Sequence, residues 1–282
     1  MTLQGTITAM VTPFGRDGSV DYGRLAEFVD WQCSSGVEGL CPVGTTGESP
    51  TLDHAEHHKV IEETIKSARG RVKIIAGTGA NSTAEAVSLT KAAIAMGGAD
   101  ACLQVTPYYN KPNAEGLYRH FMTIADLGLP VVLYNVPGRS GRELPLDVVA
   151  IKEAAGSVER VSAIKTRCPS LTVLSGDDSL ALPMISVGAS GVISVASDVM
   201  PREMGDFVRI ALAGDMAKAR ELHLKYYSLF HSLFIDTNPV MVKEALALMG
   251  RIDLAYRLPL CETTPENRAK IAEALKGLGV LK

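Results

Sequence analysis

The stretch LDVVAIKEAAG, residues 146–156, decides the fold prediction, because it joins a buried strand to a reactive side chain. Val148, Val149 and Ile151 are typical of a strand that is buried on both faces, as in parallel sheets. Lys152 follows where this strand ends, and a buried amine must be neutral or paired. A neutral amine can form a Schiff base with a carbonyl substrate, whereas an ordinary strand-end lysine reaches water. Both interpretations of Lys152 remain open on this stretch alone.

The segments around this stretch alternate between strand and helix. Apolar runs such as 37–44 and 72–79 alternate with amphipathic stretches such as 22–36 and 54–70. Eight such strands in roughly 210 residues, with short connections, favour parallel pairing and right-handed crossovers. The pattern predicts a (β/α)8 TIM barrel, an α/β fold, over residues 1–214, with a C-terminal helical region over residues 215–282. A doubly wound open sheet is the alternative, although no G-x-G-x-x-G follows an early strand.

Length and composition place the chain among ordinary globular proteins. It has 282 residues, of which 46% are hydrophobic, and a net charge of −3. This balance gives no electrostatic case for binding nucleic acid or a membrane surface. The five cysteines include no C-x-x-C pair, which indicates reduced thiols without a disulfide framework or a metal site. The first residues have no basic start and no long apolar run, which predicts a cytoplasmic protein.

In a barrel of this kind, reactive side chains lie at the carboxyl ends of the strands. The second strand ends in GTTGE, residues 44–48, whose hydroxyls and backbone amides suit a small carboxylate. A capped turn is the plainer interpretation of that motif. Tyr108 and Tyr109 follow the fourth strand and either pack or relay protons. Arg139 follows the fifth strand, where it is a surface charge or a bidentate clamp for a carboxylate.

Six motifs occur together in the order GTTGE, TPYYNKP, YNVPGR, IKEA, LSGDD and GVISV. In this order they resemble the dihydrodipicolinate synthase / N-acetylneuraminate lyase family of class I pyruvate-dependent aldolases. The likeness covers nearly the whole chain, and the double threonine of GTTGE and the arginine of YNVPGR resemble the synthase branch. The resemblance implies a condensation of pyruvate with aspartate semialdehyde on the route to lysine. It also implies that no cofactor is needed and that the protein is a homotetramer of two tight dimers.

The same resemblance implies the catalytic residues. Lys152 resembles the Schiff-base lysine, and Tyr134 resembles the proton-handling tyrosine beside it. Thr45 and Tyr109 resemble the other members of a Tyr-Thr-Tyr proton relay, in which Tyr109 crosses into the neighbouring subunit's site. Hydroxyls suit this chemistry because protons must move at several steps.

The resemblance also implies four substrate-binding residues and a regulatory cleft. The substrate-binding residues are Thr46 and the backbone of Ile193 for the pyruvate carboxylate, Arg139 for the semialdehyde carboxylate, and Gly176 at the end of the seventh strand. Residues matching the cleft between two subunits, where free lysine binds and inhibits, are Ser49, His54, His57, Asn81, Glu85 and Tyr108. A carboxylate, amide and hydroxyl suit an amino-acid ligand. The alternative is that the two histidines lie on the wet face of a helix.

Between Arg139 and Lys152 the chain is shorter than the family pattern by about one helix, roughly three turns. The fifth barrel helix is therefore predicted to be missing or shortened. In an alternative register, residues 146–156 form that helix, residues 157–165 form strand six, and Lys165 is the nucleophile. A third alternative is that the sequence omits a stretch.

Two other functions stay open at this point. One is a related pyruvate aldolase that acts on a sugar acid and shares Lys152. The other is a catalytically inactive barrel that binds a small molecule or a partner, which the shortened fifth unit makes conceivable.

Overall fold

The computed structural model describes residues 3–145 and 150–281. Within them, eight strands form a closed barrel in which each strand pairs in parallel with the next and the last pairs with the first. The strands are β1 (Gly5–Ala9), β2 (Gly39–Cys41), β3 (Lys73–Gly77), β4 (Ala101–Val105), β5 (Val131–Asn135), β6 (Ala150–Glu153), β7 (Thr172–Ser175) and β8 (Gly191–Ser194). The predicted barrel is confirmed, and the open sheet is wrong.

Helices follow the strands around the barrel. They are α1 (Tyr22–Ser35), α2 (His54–Ala68), α3 (Thr83–Met96), α4 (Ala114–Ala125), α5 (Pro137–Ser140), α6 (Val158–Arg167), α7 (Ala181–Ser186) and α8 (Pro201–Leu212). Their ends follow local chemistry. The carboxylate of Asp53 accepts a hydrogen bond from the backbone N–H of Glu56, whose side chain accepts one from the N–H of Asp53, so α2 begins at a capping box. α1 ends at Gly36, which adopts a left-handed φ of 86°.

The C-terminal region is helical, as predicted. It contains α9 (Met216–Ser232), α10 (Val240–Leu248) and α11 (Pro265–Gly277). α9 packs on α7 and α8, and α11 packs on α9 and α10. The division of the chain into units at residue 214 stays a prediction. No helix in the described ranges is long and apolar enough to cross a membrane.

Lys152 lies in β6, where it is paired with Tyr134 of β5 and Leu174 of β7. The alternative register is wrong, because the stretch that contains Lys165 forms α6 instead of a strand. Val161 and Ile164 are buried at a helical spacing on α6, while the Lys165 ammonium donates to the carbonyls of Pro169 and Leu171. Residues 146–149, the predicted start of strand six, lie outside the described residues.

The fifth barrel helix is shortened, as predicted. In the described part of this unit, α5 is a single turn of 4 residues. A groove of about 500 Å³ lies outside the barrel beside α4, and apolar side chains such as Leu117, Phe121, Leu133 and Leu144 line it. We attribute this groove to the short α5, because a full crossover helix normally covers the outer face of a barrel strand.

A network of buried polar side chains connects the segments on either side of the shortened fifth unit. The Asn135 amide donates to the Glu153 carboxylate at 2.9 Å, and its oxygen accepts from the Leu144 N–H at 3.0 Å. Arg160 of α6 donates to Glu153 at 2.8 Å and also to the Leu144 carbonyl. These contacts connect β5, β6 and α6 to one another and to the backbone at Leu144.

Candidate active site

The side chain of Lys152 points into the barrel. Its sequence neighbour Glu153 contacts Arg160 of α6 outside the barrel, and successive strand residues point to opposite faces. The Lys152 Nζ lies 4.3 Å from the centre of the Tyr134 ring, and only 6% of the lysine is exposed. The sheet therefore places a buried amine beside a tyrosine at the position where the sequence predicts them.

Gly176 and Cys41 shape the space around this amine. A Cβ atom at Gly176 would lie 2.7 Å from the Cβ of Ala154 and 3.1 Å from the Cε of Lys152, so a side chain there would displace the lysine. Burial raises the pKa of the Cys41 thiol to about 11, although the charge of Lys152 acts in the opposite direction. Because a thiol reacts as its thiolate, Cys41 does not compete with Lys152 as a nucleophile at neutral pH.

A cavity of about 220 Å³ brings several predicted residues together. Thr45, Tyr134 and Arg139 line it, along with Ser49 and Tyr108. The short α5 thus still delivers Arg139 to the same cavity as the relay residues. The cavity can hold a small molecule among these hydroxyl groups and the guanidinium.

Tyr109 stands apart from that cavity within one chain. Its side chain is 91% exposed, and its backbone adopts a left-handed φ of 70°. A non-glycine residue in this conformation costs energy, which suggests a functional constraint on the loop. Tyr109 is therefore open to solvent in one chain and is not among the residues that line the cavity.

The GTTGE loop is held from outside the barrel by the C-terminal region. Thr46 is 3% exposed, and its Oγ1 accepts a hydrogen bond from the Nδ2 of Asn238 at 2.9 Å. Glu48 forms a fully buried ion pair with Lys243 of α10, whose ammonium also donates to the Ala255 carbonyl at 2.9 Å. Sequence reasoning missed these partners, because Asn238 and Lys243 lie 192 and 195 residues from Thr46 and Glu48 along the chain.

Two substrate-binding candidates have well-defined surroundings. Ile193 lies in β8, is 1% exposed and pairs with Ile7 of β1, so its side chain is part of the core. This leaves its backbone as the part that can contact a ligand. Arg139 donates from Nη2 to the Asn238 carbonyl at 3.4 Å.

The six residues of the candidate lysine cleft are brought close to one another. The Nε2 of His54 lies 3.0 Å from the Oε1 of Glu85, and the Asn81 amide donates to the Tyr108 carbonyl at 3.3 Å. The side chain of His54 is 67% exposed, but His57 is only 5% exposed. The wet-face interpretation is therefore wrong for His57, because Val60 and Ile61 turn the same helix face into the core.

Burial and the neighbouring charges of His58 and His54 lower the pKa of His57 to about 4. His57 is therefore neutral at pH 7 and can act only as a neutral hydrogen-bonding group. Within residues 3–145 and 150–281, no group of three or more histidine, cysteine or acidic side chains is arranged to hold a metal ion.

The surroundings of Asp178, in the LSGDD motif, predict that the free energy of unfolding depends on pH. Asp178 is fully buried, and one carboxylate oxygen accepts from the N–H groups of Val195 and Ala196 at 3.0 and 2.9 Å. Burial outweighs these hydrogen bonds and raises the pKa of Asp178 from 3.8 to about 6. The folded protein therefore holds this proton more tightly than the unfolded chain does. The resulting stabilisation is full below pH 3.8 and is lost as the pH rises through about 6.

We expect Asp178→Asn to remove this dependence, which amounts to about 3 kcal/mol across the window. An amide keeps an acceptor for the two N–H groups but never ionises, so the variant should be more stable than the parent at pH 8. Denaturant unfolding between pH 4 and 8 measures the difference. Asp177→Asn serves as the control for removing one negative charge from the same motif. Parallel pH profiles for Asp178→Asn and the parent would contradict the prediction.

Comparison with known proteins agrees with this geometry. The model of the dihydrodipicolinate synthetase family matches residues 2–278. A 4-hydroxy-tetrahydrodipicolinate synthase from Hydrogenobaculum sp. (strain Y04AAS1) is 49% identical over 286 aligned positions, which cover 97% of this chain and 98% of the relative. The aligned stretch is longer than the part of this chain within it, so the relative has residues that this chain lacks.

Solved structures show the same fold. The chloride-inhibited dihydrodipicolinate synthase from Acinetobacter baumannii, complexed with pyruvate, superposes with a TM-score of 0.97 at 45% identity, covering 99% of this chain and 100% of that one. The enzyme from Cyanidioschyzon merolae with lysine bound has a TM-score of 0.95 at 36% identity, covering 99% of both chains. From the family match and these full-length relatives, we conclude that the chain belongs to the dihydrodipicolinate synthetase family and is an enzyme of that type.

Proposed function

We propose that this protein is a 4-hydroxy-tetrahydrodipicolinate synthase, a lyase of lysine biosynthesis that condenses pyruvate with aspartate semialdehyde. The observation that carries the proposal is the buried Lys152 amine, 4.3 Å from the Tyr134 ring centre at the carboxyl end of a barrel strand. The 49% identity to a synthase over 97% of the chain supports the choice of reaction. We further propose a cytoplasmic homotetramer, with residues 1–214 as the catalytic barrel and residues 215–282 as its helical support.

In the proposed mechanism, the neutral amine of Lys152 attacks the ketone carbon of pyruvate, and water leaves to form an iminium ion. This ion withdraws electrons while a methyl proton departs, which produces an enamine. The enamine carbon attacks the aldehyde of the second substrate, whose oxygen takes up a proton. The amine of that substrate then displaces Lys152 as the ring closes. Tyr134 and Thr45, which line one cavity, are the proposed proton carriers.

Four further residues, of which only Arg139 lines the cavity of Thr45 and Tyr134, are proposed to hold the two substrates. Thr46 and the backbone of Ile193 would bind the carboxylate of pyruvate, and Arg139 would bind that of aspartate semialdehyde. Gly176 fits this assignment because it leaves space beside the Cε of Lys152, where the covalent adduct would form. The proposed chemistry requires no cofactor.

A product assay tests the proposal. The purified protein is incubated with pyruvate and aspartate semialdehyde, and the product is followed by a coupled reductase. In parallel, pyruvate and borohydride are used to trap an adduct for peptide mapping. Product formation with an adduct on Lys152 supports the proposal. Cleavage of a sugar acid without condensation would favour the related aldolase, and the absence of both adduct and turnover would favour the inactive barrel.

Tyr109→Phe tests whether Tyr109 completes the site of a partner subunit. Its 91% exposure in one chain suits a side chain that another subunit covers. The variant loses the hydroxyl and keeps the ring, so kcat should fall by about 10²-fold or more while pyruvate binding changes little. Steady-state kinetics measure kcat, and the pyruvate dependence of borohydride trapping measures pyruvate binding. The adjacent Tyr108→Phe is the matched control and should reduce kcat less.

Subunit mixing tests the same idea without relying on kinetics alone. Tyr109→Phe chains retain Lys152, and Lys152→Ala chains retain Tyr109. In mixed oligomers that mass spectrometry has verified, some sites regain both groups, and activity should recover. No recovery in such oligomers would show that Tyr109 acts within its own chain.

Lysine is proposed as an inhibitor that binds the cleft of Ser49, His54, His57, Asn81, Glu85 and Tyr108. Ser49 and Tyr108 also line the cavity of the relay residues, which offers a direct route from this cleft to the active site. We expect partial inhibition by millimolar lysine, an order-of-magnitude estimate for a site of this kind. Glu85→Ala should relieve it by removing the carboxylate that would pair with an ammonium of the ligand.

Glu62→Ala provides the matched control for that prediction. Glu62 is an exposed acidic residue of α2 that is not part of the proposed cleft, so its replacement removes a carboxylate and leaves the candidate lysine contacts in place. Inhibition should therefore persist in Glu62→Ala and disappear in Glu85→Ala. If lysine leaves the parent rate unchanged at both low and saturating pyruvate, the cleft has no regulatory role.

A further inference from the structure

Asn238 stands at the point where the C-terminal region contacts the candidate active site. It lies between α9 and α10, far from GTTGE in the sequence, and is 8% exposed. Its side-chain Nδ2 donates to the Oγ1 of Thr46 at 2.9 Å. Its backbone carbonyl accepts from the Nη2 of Arg139 at 3.4 Å. One residue thus contacts both groups that are proposed to bind substrate carboxylates, through two different atoms.

The contact with Thr46 determines how that hydroxyl can be used. A threonine hydroxyl has one proton to donate and two lone pairs that accept. The Asn238 Nδ2 donates to one lone pair of the Thr46 Oγ1. In that contact the Thr46 hydroxyl is the acceptor, so it does not donate its own proton there. The proton remains available for a different acceptor, such as a carboxylate. A hydrogen bond from a hydroxyl to an ionised carboxylate is stronger than one between neutral groups.

The surroundings keep this arrangement in place. The next ion pair along the same loop, Glu48 with Lys243, is fully buried and anchors the loop to α10. Only Pro239 separates Asn238 from α10, so the donor and the anchor belong to one short segment of chain. The geometry between the amide and the hydroxyl is therefore set by two contacts to the same loop.

We propose that Asn238 is a positioning residue that turns the proton of the Thr46 hydroxyl toward the carboxylate of pyruvate. The inference rests on the proposed function, in which Thr46 binds that carboxylate. Asn238 itself touches neither substrate; it acts through Thr46. Its backbone contact with Arg139 is independent of its side chain and survives substitution.

Two variants separate this role from simple packing. In Asn238→Asp, the carboxylate has the same shape but accepts the Thr46 proton, so the hydroxyl turns away from pyruvate. In Asn238→Leu, the donor is removed without adding charge, and the hydroxyl becomes free to rotate. The measured quantity is the pyruvate concentration that gives half-maximal borohydride trapping. We expect it to rise by about tenfold or more in Asn238→Asp and by about threefold in Asn238→Leu. A packing role predicts the reverse order, because aspartate is the closer match in shape.

Two further measurements complete the test. The KM for aspartate semialdehyde should change less than about twofold in both variants, because the Asn238 carbonyl still holds Arg139. In a Thr46→Val background, Asn238→Leu should have no further effect on pyruvate, since no hydroxyl remains to orient. Thermal unfolding of each variant confirms that the protein is folded.

The outcomes distinguish failure of the proposed function from failure of the positioning role of Asn238. If the parent traps no pyruvate, or if Thr46→Val leaves pyruvate binding unchanged, the proposed function of Lys152 or Thr46 fails. If both hold but the Asn238→Asp and Asn238→Leu variants bind pyruvate like the parent, the positioning role is overturned. Additive effects of Asn238→Leu and Thr46→Val would overturn it as well.

Discussion

Lys152→Ala should abolish the condensation, lowering kcat/KM by more than about 10⁴-fold, because removal of a covalent nucleophile is among the most damaging changes to an enzyme. Tyr134 and Thr45 would still line the cavity, but the iminium ion that they serve could not form. The fold should survive, since the substitution shortens a buried side chain and removes its amine. Activity measurements, borohydride trapping and circular dichroism together give the expected result of an inactive, folded protein without an adduct.

Two lysine controls sharpen this prediction. Lys152→Arg retains a positive charge but has no nucleophilic amine, so it should be as inactive as alanine. Lys165→Ala removes the lysine whose ammonium donates to the carbonyls of Pro169 and Leu171, and it should retain activity. Turnover by Lys152→Arg would mean that the charge of the lysine matters and its nucleophilicity does not. An adduct on Lys165 would contradict the assignment altogether.

Lys243→Met should reduce the free energy of unfolding by about 3–5 kcal/mol, the usual cost of leaving one member of a buried ion pair without its partner. Both Lys243 and Glu48 have fully buried side chains, and the second oxygen of Glu48 has no hydrogen-bond partner in the described part of the chain. Burial lowers the pKa of Lys243, while the charge of Glu48 opposes the change. Urea unfolding monitored by fluorescence measures the loss.

The double variant Glu48→Gln/Lys243→Met tests the electrostatic reason for that loss. It leaves no buried charge at the site, so it should recover part of the stability that Lys243→Met loses. Lys218→Met is the matched surface control: Lys218 pairs with Glu221 on an exposed part of α9, and its replacement should have little effect. If Lys243→Met is no less stable than Lys218→Met, then the pair does not hold the loop.

The same variant should also affect the active site. Glu48 adopts a left-handed φ of 55° in the loop that carries Thr45 and Thr46. When the ion pair is lost, this conformation loses the one charged partner of the Glu48 side chain that the structure shows in the described residues, and the loop should relax. The pyruvate concentration needed for half-saturation is therefore expected to rise in Lys243→Met. Such a rise would connect the C-terminal helices to substrate binding.

The sequence by itself determined the barrel and its central amine. The alternation of apolar runs with amphipathic stretches is a local property, and eight such units close in only a few ways. Lys152 could be placed because its strand is apolar up to the lysine, and its pairing with Tyr134 follows from the order of the strands. The shortened α5 could also be predicted, since the chain between Arg139 and Lys152 is shorter than the family pattern by about one helix.

Only the tertiary structure decided how these parts are held. Thr46 and Asn238 are 192 residues apart, and Glu48 and Lys243 are 195 apart, so no local pattern predicts their contact. The burial of His57 likewise depends on how α2 docks against the barrel. Periodicity tells which face of an element is apolar, but the partner of a buried polar group is set by closure of the barrel and docking of the C-terminal helices. Those contacts join distant parts of the chain that only the complete fold brings together.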